Sequence, residues 1–86
     1  MRYTVLWRPT AEAALADLWT SASDRVTIAQ AADAVDAMLR NDPGEVGESR
    51  GDGSRILIVS PLAVRYDVSE DDRRVAVWAV WRTRGS

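Results

Sequence analysis

The 86 residues, 47% of them hydrophobic, suffice for one compact domain and exclude a second. The chain has no cysteine and no histidine, which removes disulfides, thiolate chemistry, the commonest general base and the commonest transition-metal ligand. Lysine is also absent, so all 11 basic residues are arginine, and with a net charge of −2 the chain lacks the basic excess of proteins that live on nucleic-acid phosphates.

Tyr3 to Trp7 (YTVLW) is rich in β-branched and aromatic residues and reads as a strand ended by Pro9. Thr10 is placed to cap a helix whose apolar face is Ala11, Ala14, Leu15, Leu18 and Trp19, with Glu12 and Asp17 on the other side. A short break at Thr20–Ser23 precedes a second helix, capped by Ser23 or Asp24 and running to about Arg40. Its stripe is Ile28, Ala31, Ala32, Val35, Met38 and Leu39, with Asp33 and Asp36 towards water. So short a connection predicts an antiparallel helical hairpin, and the many alanines allow close approach of the two axes. Asn41-Asp42-Pro43-Gly44 stops the second helix.

Gly44 to Ser54 is expected to be an irregular, mobile connection. It is glycine-rich, but it leads into a strand and carries Glu45, Glu48 and Asp52, so phosphate binding is not expected. Arg55 to Val59 (RILIV) reads as a buried strand, and Ser60-Pro61 turns the chain. In the next strand Leu62, Val64, Tyr66 and Val68 alternate with Ala63, Arg65, Asp67 and Ser69, the period of two of a sheet with one buried face. After the acidic hairpin loop Ser69–Arg73, Val75 to Trp81 is apolar on both faces. Strict alternation puts Val75, Val77, Ala79 and Trp81 on one face and Ala76, Trp78 and Val80 on the other. The polar tail, Arg82 to Ser86, is expected to fray.

The resulting order is strand-helix-helix-strand-strand-strand. It defines an α+β domain: an antiparallel sheet with a helical hairpin on one face and the first strand on one of its edges. The expected core comprises Trp7, Trp19, Ile28, Val35, Leu39, Ile56, Ile58, Val64, Tyr66 and Val77. One helical hairpin covers one sheet face only. Ala76, Trp78 and Val80, beside Arg65 and Arg82, are therefore candidate partner-binding residues, for another protein or a second copy of the chain. Arg65, with Asp67 or an acid across the hairpin, also reads as a cross-strand ion pair.

No carboxylate pair converges on a site: Asp33/Asp36 and Asp71/Asp72 fall on a solvent face and a loop tip. No metal or cofactor is implied. No run reaches the ~20 apolar residues of a bilayer span. The opening Met1-Arg2-Tyr3-Thr4 has no signal-peptide pattern, so a cytoplasmic location is expected.

Three segments carry a resemblance: YTVLWRPTAEAALADLW, DRVTIAQAADAVDAMLRNDPGEVGESR and PLAVRYDVSEDDRRVAVWAVWR. Together they resemble the RelE/ParE superfamily of bacterial type II toxins, once labelled plasmid stabilisation proteins. The third, a strand, an acidic turn and an apolar strand ending in arginine, is the most diagnostic. The resemblance implies a strand-helix-helix-meander fold and a cognate antitoxin that wraps the toxin. It also implies one of two activities, ribosome-dependent mRNA cleavage as in RelE or poisoning of DNA gyrase as in ParE. Carried over by position, the nuclease arginine of the third strand falls on Ala63, and the family's lysines have no counterpart. The arginine after the last strand falls on Arg82 or Arg84, and no tyrosine follows before Ser86. Arg65, Arg82 and Arg84 are thus the candidate catalytic residues, able to stabilise charge but not to move protons. The resemblance therefore points to a ParE-like toxin acting by protein binding, without direct nucleic-acid contact. Its alternatives are a RelE-like nuclease and a degenerate member that only binds its antitoxin.

Overall fold

The computed structural model describes residues 2–83. Strand β1 (Thr4–Trp7) leads into helices α1 (Pro9–Ser21) and α2 (Arg25–Asn41). Strands β2 (Glu48–Ser49), β3 (Ser54–Val59), β4 (Leu62–Ser69) and β5 (Arg74–Arg82) follow, and the sheet order is β1-β5-β4-β3-β2. Helix α1 starts earlier than Thr10 predicts. Pro9 takes its first turn, where a missing N–H costs nothing and φ is already helical.

The sheet is mixed, which corrects the expectation of an antiparallel one. β1 pairs with β5 in parallel, Val5 opposite Val75 and Trp7 opposite Val77, and the other pairs are antiparallel. Connectivity is the cause. The helical hairpin returns the chain to the start of β1, where the Tyr3 amide donates to the Arg40 carbonyl at 2.8 Å. Three meander strands begun from that end finish with the last one running the same way as β1.

The core lies between the hairpin and one sheet face. Ile28, Ala31, Val35 and Leu39 of α2 and Ala11 of α1 pack against Leu57, Leu62, Val64, Tyr66, Val75, Val77 and Val80. Six of the ten residues expected there are buried: Ile28, Val35, Leu39, Val64, Tyr66 and Val77. Trp7 is half-buried against them. Strand β3 has the opposite phase to the expected one. Leu57 faces Val64 across the ladder and is buried, whereas Ile58, opposite Ala63, is exposed and Ile56, opposite Arg65, is half-buried. An apolar run such as RILIV has no alternation to set its phase, so the register with β4 sets it. Trp19 is also exposed, at the edge of α1.

The connection between α2 and β3 is anchored, contrary to the expectation of a mobile loop. Its Glu48–Ser49 segment pairs with β3. The buried Tyr66 hydroxyl lies 2.8 Å from both the Pro43 and the Val46 carbonyl oxygens, sharing its proton between them. Arg55 donates to the carbonyls of Val46 and Gly47 at 3.3 and 3.0 Å. Gly47 has φ +74°, and a Cβ there would come within 2.7 Å of the Ile56 carbonyl oxygen, so only glycine fits. Of the tail expected to fray, Arg82 closes β5 and the Thr83 amide donates to the Pro61 carbonyl at 2.8 Å. Arg84, Gly85 and Ser86 lie outside the described residues.

Leu39 is wholly buried at the centre of this core. Leu39→Ala is expected to lower unfolding free energy by about 2–5 kcal/mol. Chemical denaturation followed by far-UV circular dichroism measures it, and a loss below ~1 kcal/mol would contradict the packing described.

Candidate functional site

The β4–β5 ladder is continuous except at one point. Arg65 pairs with Ala79 and Tyr66 with Val77, so Trp78 is an extra residue on β5, a β-bulge. The bulge reverses the phase of everything after it. Val75 and Val77 face the helices before it, and Val80 faces them after it. Ala76, Trp78 and Trp81 face the other way. Val80, expected on the partner face, is therefore a core residue, and Trp81 takes its place outside.

The sheet face away from the helices is correspondingly apolar. Leu6, Ile58, Trp78 and Trp81 are 53%, 62%, 37% and 40% exposed. Ala63 is buried there with no helix above it, between its cross-strand neighbours Trp81 and Ile58. A long charged side chain at position 63 would break up this apolar row.

Arg65 is the central cation of the open face. Its guanidinium lies 5.2 Å from the centroid of the Trp78 ring, within cation–π range. Its Nη2 donates to Asp52 Oδ2 and its Nε to Ser54 Oγ, both at 3.1 Å. The partner is thus Asp52, not the Asp67 that β4 alternation suggests. Asp52 in turn accepts from the Ser54 amide at 3.0 Å and the Ser54 hydroxyl at 2.6 Å. These bonds from Ser54, aided by the Arg65 charge, hold the Asp52 carboxyl below the usual carboxylate range. Asp52 and Ser54 were missed because they sit where loop meets strand. The Asp-Gly-Ser spacing, in which an aspartate side chain caps the amide two residues on, is the signal that finds them. A shallow cleft of ≈ 430 Å³ adjoins this cluster, between Arg8, Thr10, Asp67 and Trp78.

Arg82 is not part of that cluster. It pairs with Leu62 and so lies in line with the core residues of β5, where it meets the start of α2. Its two terminal nitrogens donate to the two oxygens of Asp24 at 3.2 and 2.8 Å. Asp24, expected to cap α2, occupies the cap position but spends its carboxylate on Arg82. Candidate Arg84 lies outside the described residues. Of the five residues expected to bind a partner, Ala76, Trp78 and Arg65 share the open face, and Val80 and Arg82 belong to the other side. Among the described residues no three acidic side chains are grouped to hold a metal ion, and no helix is long and apolar enough to cross a membrane.

A two-layer α+β domain with a mixed sheet, a helical hairpin on one face and an open opposite face is the architecture defined by these observations. It is the fold of the RelE and ParE toxins. No protein-family model matches the chain, and no curated protein is similar to it in sequence. Among solved structures, a chain of the RelBE2 toxin–antitoxin complex from Mycobacterium tuberculosis superposes with a TM-score of 0.79 at 18% identity, over 99% of this chain and 95% of that one. A chain of the chromosomal ParDE system of P. aeruginosa gives 0.70 at 17% identity, over 95% and 97%. The isolated RelE toxin of E. coli gives 0.63 at 21% identity, over 98% and 87%.

The Arg82–Asp24 pair sets a dependence on pH. The hydrogen bonds from Arg82 hold the Asp24 carboxyl below its ordinary value. A carboxyl depressed in the folded state stabilises it above the unfolded pKa, and that contribution is lost as pH falls through the folded value. Asp24→Asn is therefore expected to lower Tm at neutral pH and to flatten the fall in Tm between about pH 5 and pH 2. Parallel melting curves for the two proteins check this, and identical slopes would refute it.

Proposed function

We propose that this chain is the toxin of a bacterial type II toxin–antitoxin pair, a ParE-like growth inhibitor that acts by binding a protein, with DNA gyrase the first target to test. The fold likeness to RelE and ParE toxins supports the toxin reading. The chemistry of the open face carries the choice between activities. In-line cleavage of RNA needs a base, an acid and charge stabilisation around one phosphate. Arg65 supplies charge, but Asp52 already engages it. Arg82 belongs to the opposite side of the sheet. Asp52, whose carboxyl is held low, is a weak base at neutral pH. What the face offers instead is exposed tryptophan beside arginine, the composition of protein-binding hot spots.

Two assays separate this reading from a RelE-like nuclease. Purified protein added to translating ribosomes is expected to leave mRNA uncut in toeprinting, and to inhibit supercoiling by gyrase. Codon-specific cuts abolished by Arg65→Ala would establish the nuclease. Protein inert in both assays, yet bound by its antitoxin, would mark a degenerate member.

The cognate antitoxin, on this reading, covers the patch formed by Ala76, Trp78 and Trp81 with Arg65, and a homodimer through the same face is the competing occupant. Trp78→Ala is expected to weaken the complex by at least ~2 kcal/mol while the lone domain melts as before. Calorimetric titration and a melt of the free variant decide it. Collapse of the domain with unchanged affinity would return Trp78 to the core.

A further inference from the structure

Two side chains of opposite charge are left unpaired on the open face. Asp67 stands on the central strand β4 and is half-buried, and Arg8 is exposed where β1 passes into α1. Both line the shallow cleft of ≈ 430 Å³ beside Trp78 and Thr10. Among the described residues neither makes an ion pair. Arg65, two residues before Asp67 on the same face, reaches instead to Asp52. A carboxylate partly withdrawn from water without a cation beside it is costly to keep, so the cleft calls for a positive guest at Asp67 and a negative one at Arg8.

The backbone fixes both charges and holds them apart. The Arg8 amide donates to the Val77 carbonyl at 2.8 Å, and its own carbonyl accepts from the Glu12 amide at 2.9 Å. Asp67 belongs to the ladders with both β3 and β5. Strand β5 runs between β1 and β4, which separates the two flanking strand axes by roughly 9–10 Å. The β5 residue standing between them is Ala76, the partner of both Leu6 and Asp67, and its methyl does not fill the space. Trp78 forms the apolar wall at one end, with Arg65 stacked against its ring at 5.2 Å.

We propose that this cleft binds a small zwitterion of the α-amino-acid type. Its carboxylate lies on the Arg8 guanidinium beside the Thr10 hydroxyl, its ammonium on Asp67, and its side chain against Trp78. A planar fork is suited to a carboxylate, and two charge-assisted contacts of ~2.8 Å with a small ligand between them span a gap of this order. The volume falls at the low end of small-molecule sites, which suits a guest of amino-acid size. A simple anion is repelled by Asp67 and a simple cation by Arg8. A nucleotide offers Arg8 a phosphate but brings no cation to Asp67. The inference does not rest on the toxin reading.

The test uses the full chain, labelled with ¹⁵N, and L-phenylalanine as the probe, since a flat ring stacks well on an indole. Two capped forms serve as controls: N-acetyl-L-phenylalanine, which lacks the ammonium, and L-phenylalaninamide, which lacks the carboxylate. The free amino acid is expected to shift the amides of Arg8, Thr10 and Asp67 and the Trp78 indole, with a Kd of about 1 mM or tighter. Each capped form should bind about tenfold more weakly, the size of one lost charge-assisted bond. Asp67→Asn should remove the advantage over the N-acetyl form, and Arg8→Gln the advantage over the amide. Melts of both variants establish that they fold, and the capped ligands decide the matter on the unaltered chain if one does not. No shift at ~20 mM phenylalanine would overturn the proposal, as would equal binding of the capped forms or shifts centred away from the cleft. Tighter binding of guanosine monophosphate than of phenylalanine at the same residues would assign the cleft to nucleotides and also overturn it.

Discussion

The antiparallel ladder between β4 and β5, with its single bulge at Trp78, is the constraint on which the rest of the molecule depends. β5 is contacted on both edges, by β1 and by β4, and it must supply three valines to the core from a run that is apolar throughout. Inserting one residue opposite Arg65 lets Val80 join Val75 and Val77 inside. The same insertion turns Trp81 outward to stand with Trp78. One backbone irregularity thus decides both what holds the helices down and what the open face presents. Bulges re-aim side chains at the cost of a ladder hydrogen bond, and here the re-aimed side chains are the largest apolar groups on that face.

Polar ties hold the ends of the two layers in place. At one end Tyr66, reaching up from the middle of β4, fixes the carbonyls of Pro43 and Val46 and so the exit from α2. Burial pushes its hydroxyl pKa up, so it stays a donor at any working pH. At the other end Arg82 and Asp24 join the last residue of the sheet to the start of α2. Between these ties the α2 stripe is clamped onto the meander, and only the outer surfaces of the helices and sheet are left for other molecules.

Much of this was legible in the residues. The 3.6-residue stripe of α2 and the period-two pattern of β4 each have one solution, and both were placed on the correct face, except that Met38, expected in the α2 stripe, lies at its margin and is 40% exposed. Legibility ended where the pattern was uniform. RILIV and VAVWAVW carry no polar residue to mark a phase, so the face of Ile58, Val80 and Trp81 depended on register and on a bulge with no local signature. The parallel pairing of β1 and the anchoring of the loop depend on contacts between residues far apart in the chain, such as Tyr3 with Arg40 and Tyr66 with Pro43. Trp19 misled for another reason: helical periodicity tells which side of a helix is apolar but not how far the neighbouring layer extends beneath it.

The arginines carry the last step. A chain that uses arginine for every cation has chosen a planar, permanently charged fork over a mobile, titratable amine. Four of the 11 forks are spent on fixed geometry. Arg25 binds the last carbonyls of α1, Arg55 the loop carbonyls, Arg65 the Asp52–Ser54 turn and Arg82 both oxygens of Asp24. Cations held this way fix the shape of the surface and do not exchange protons at any working pH. Two of its exposed tryptophans, Trp19 and Trp78, each have an arginine stacked beside them, Arg25 and Arg65, which fixes the rings on the surface.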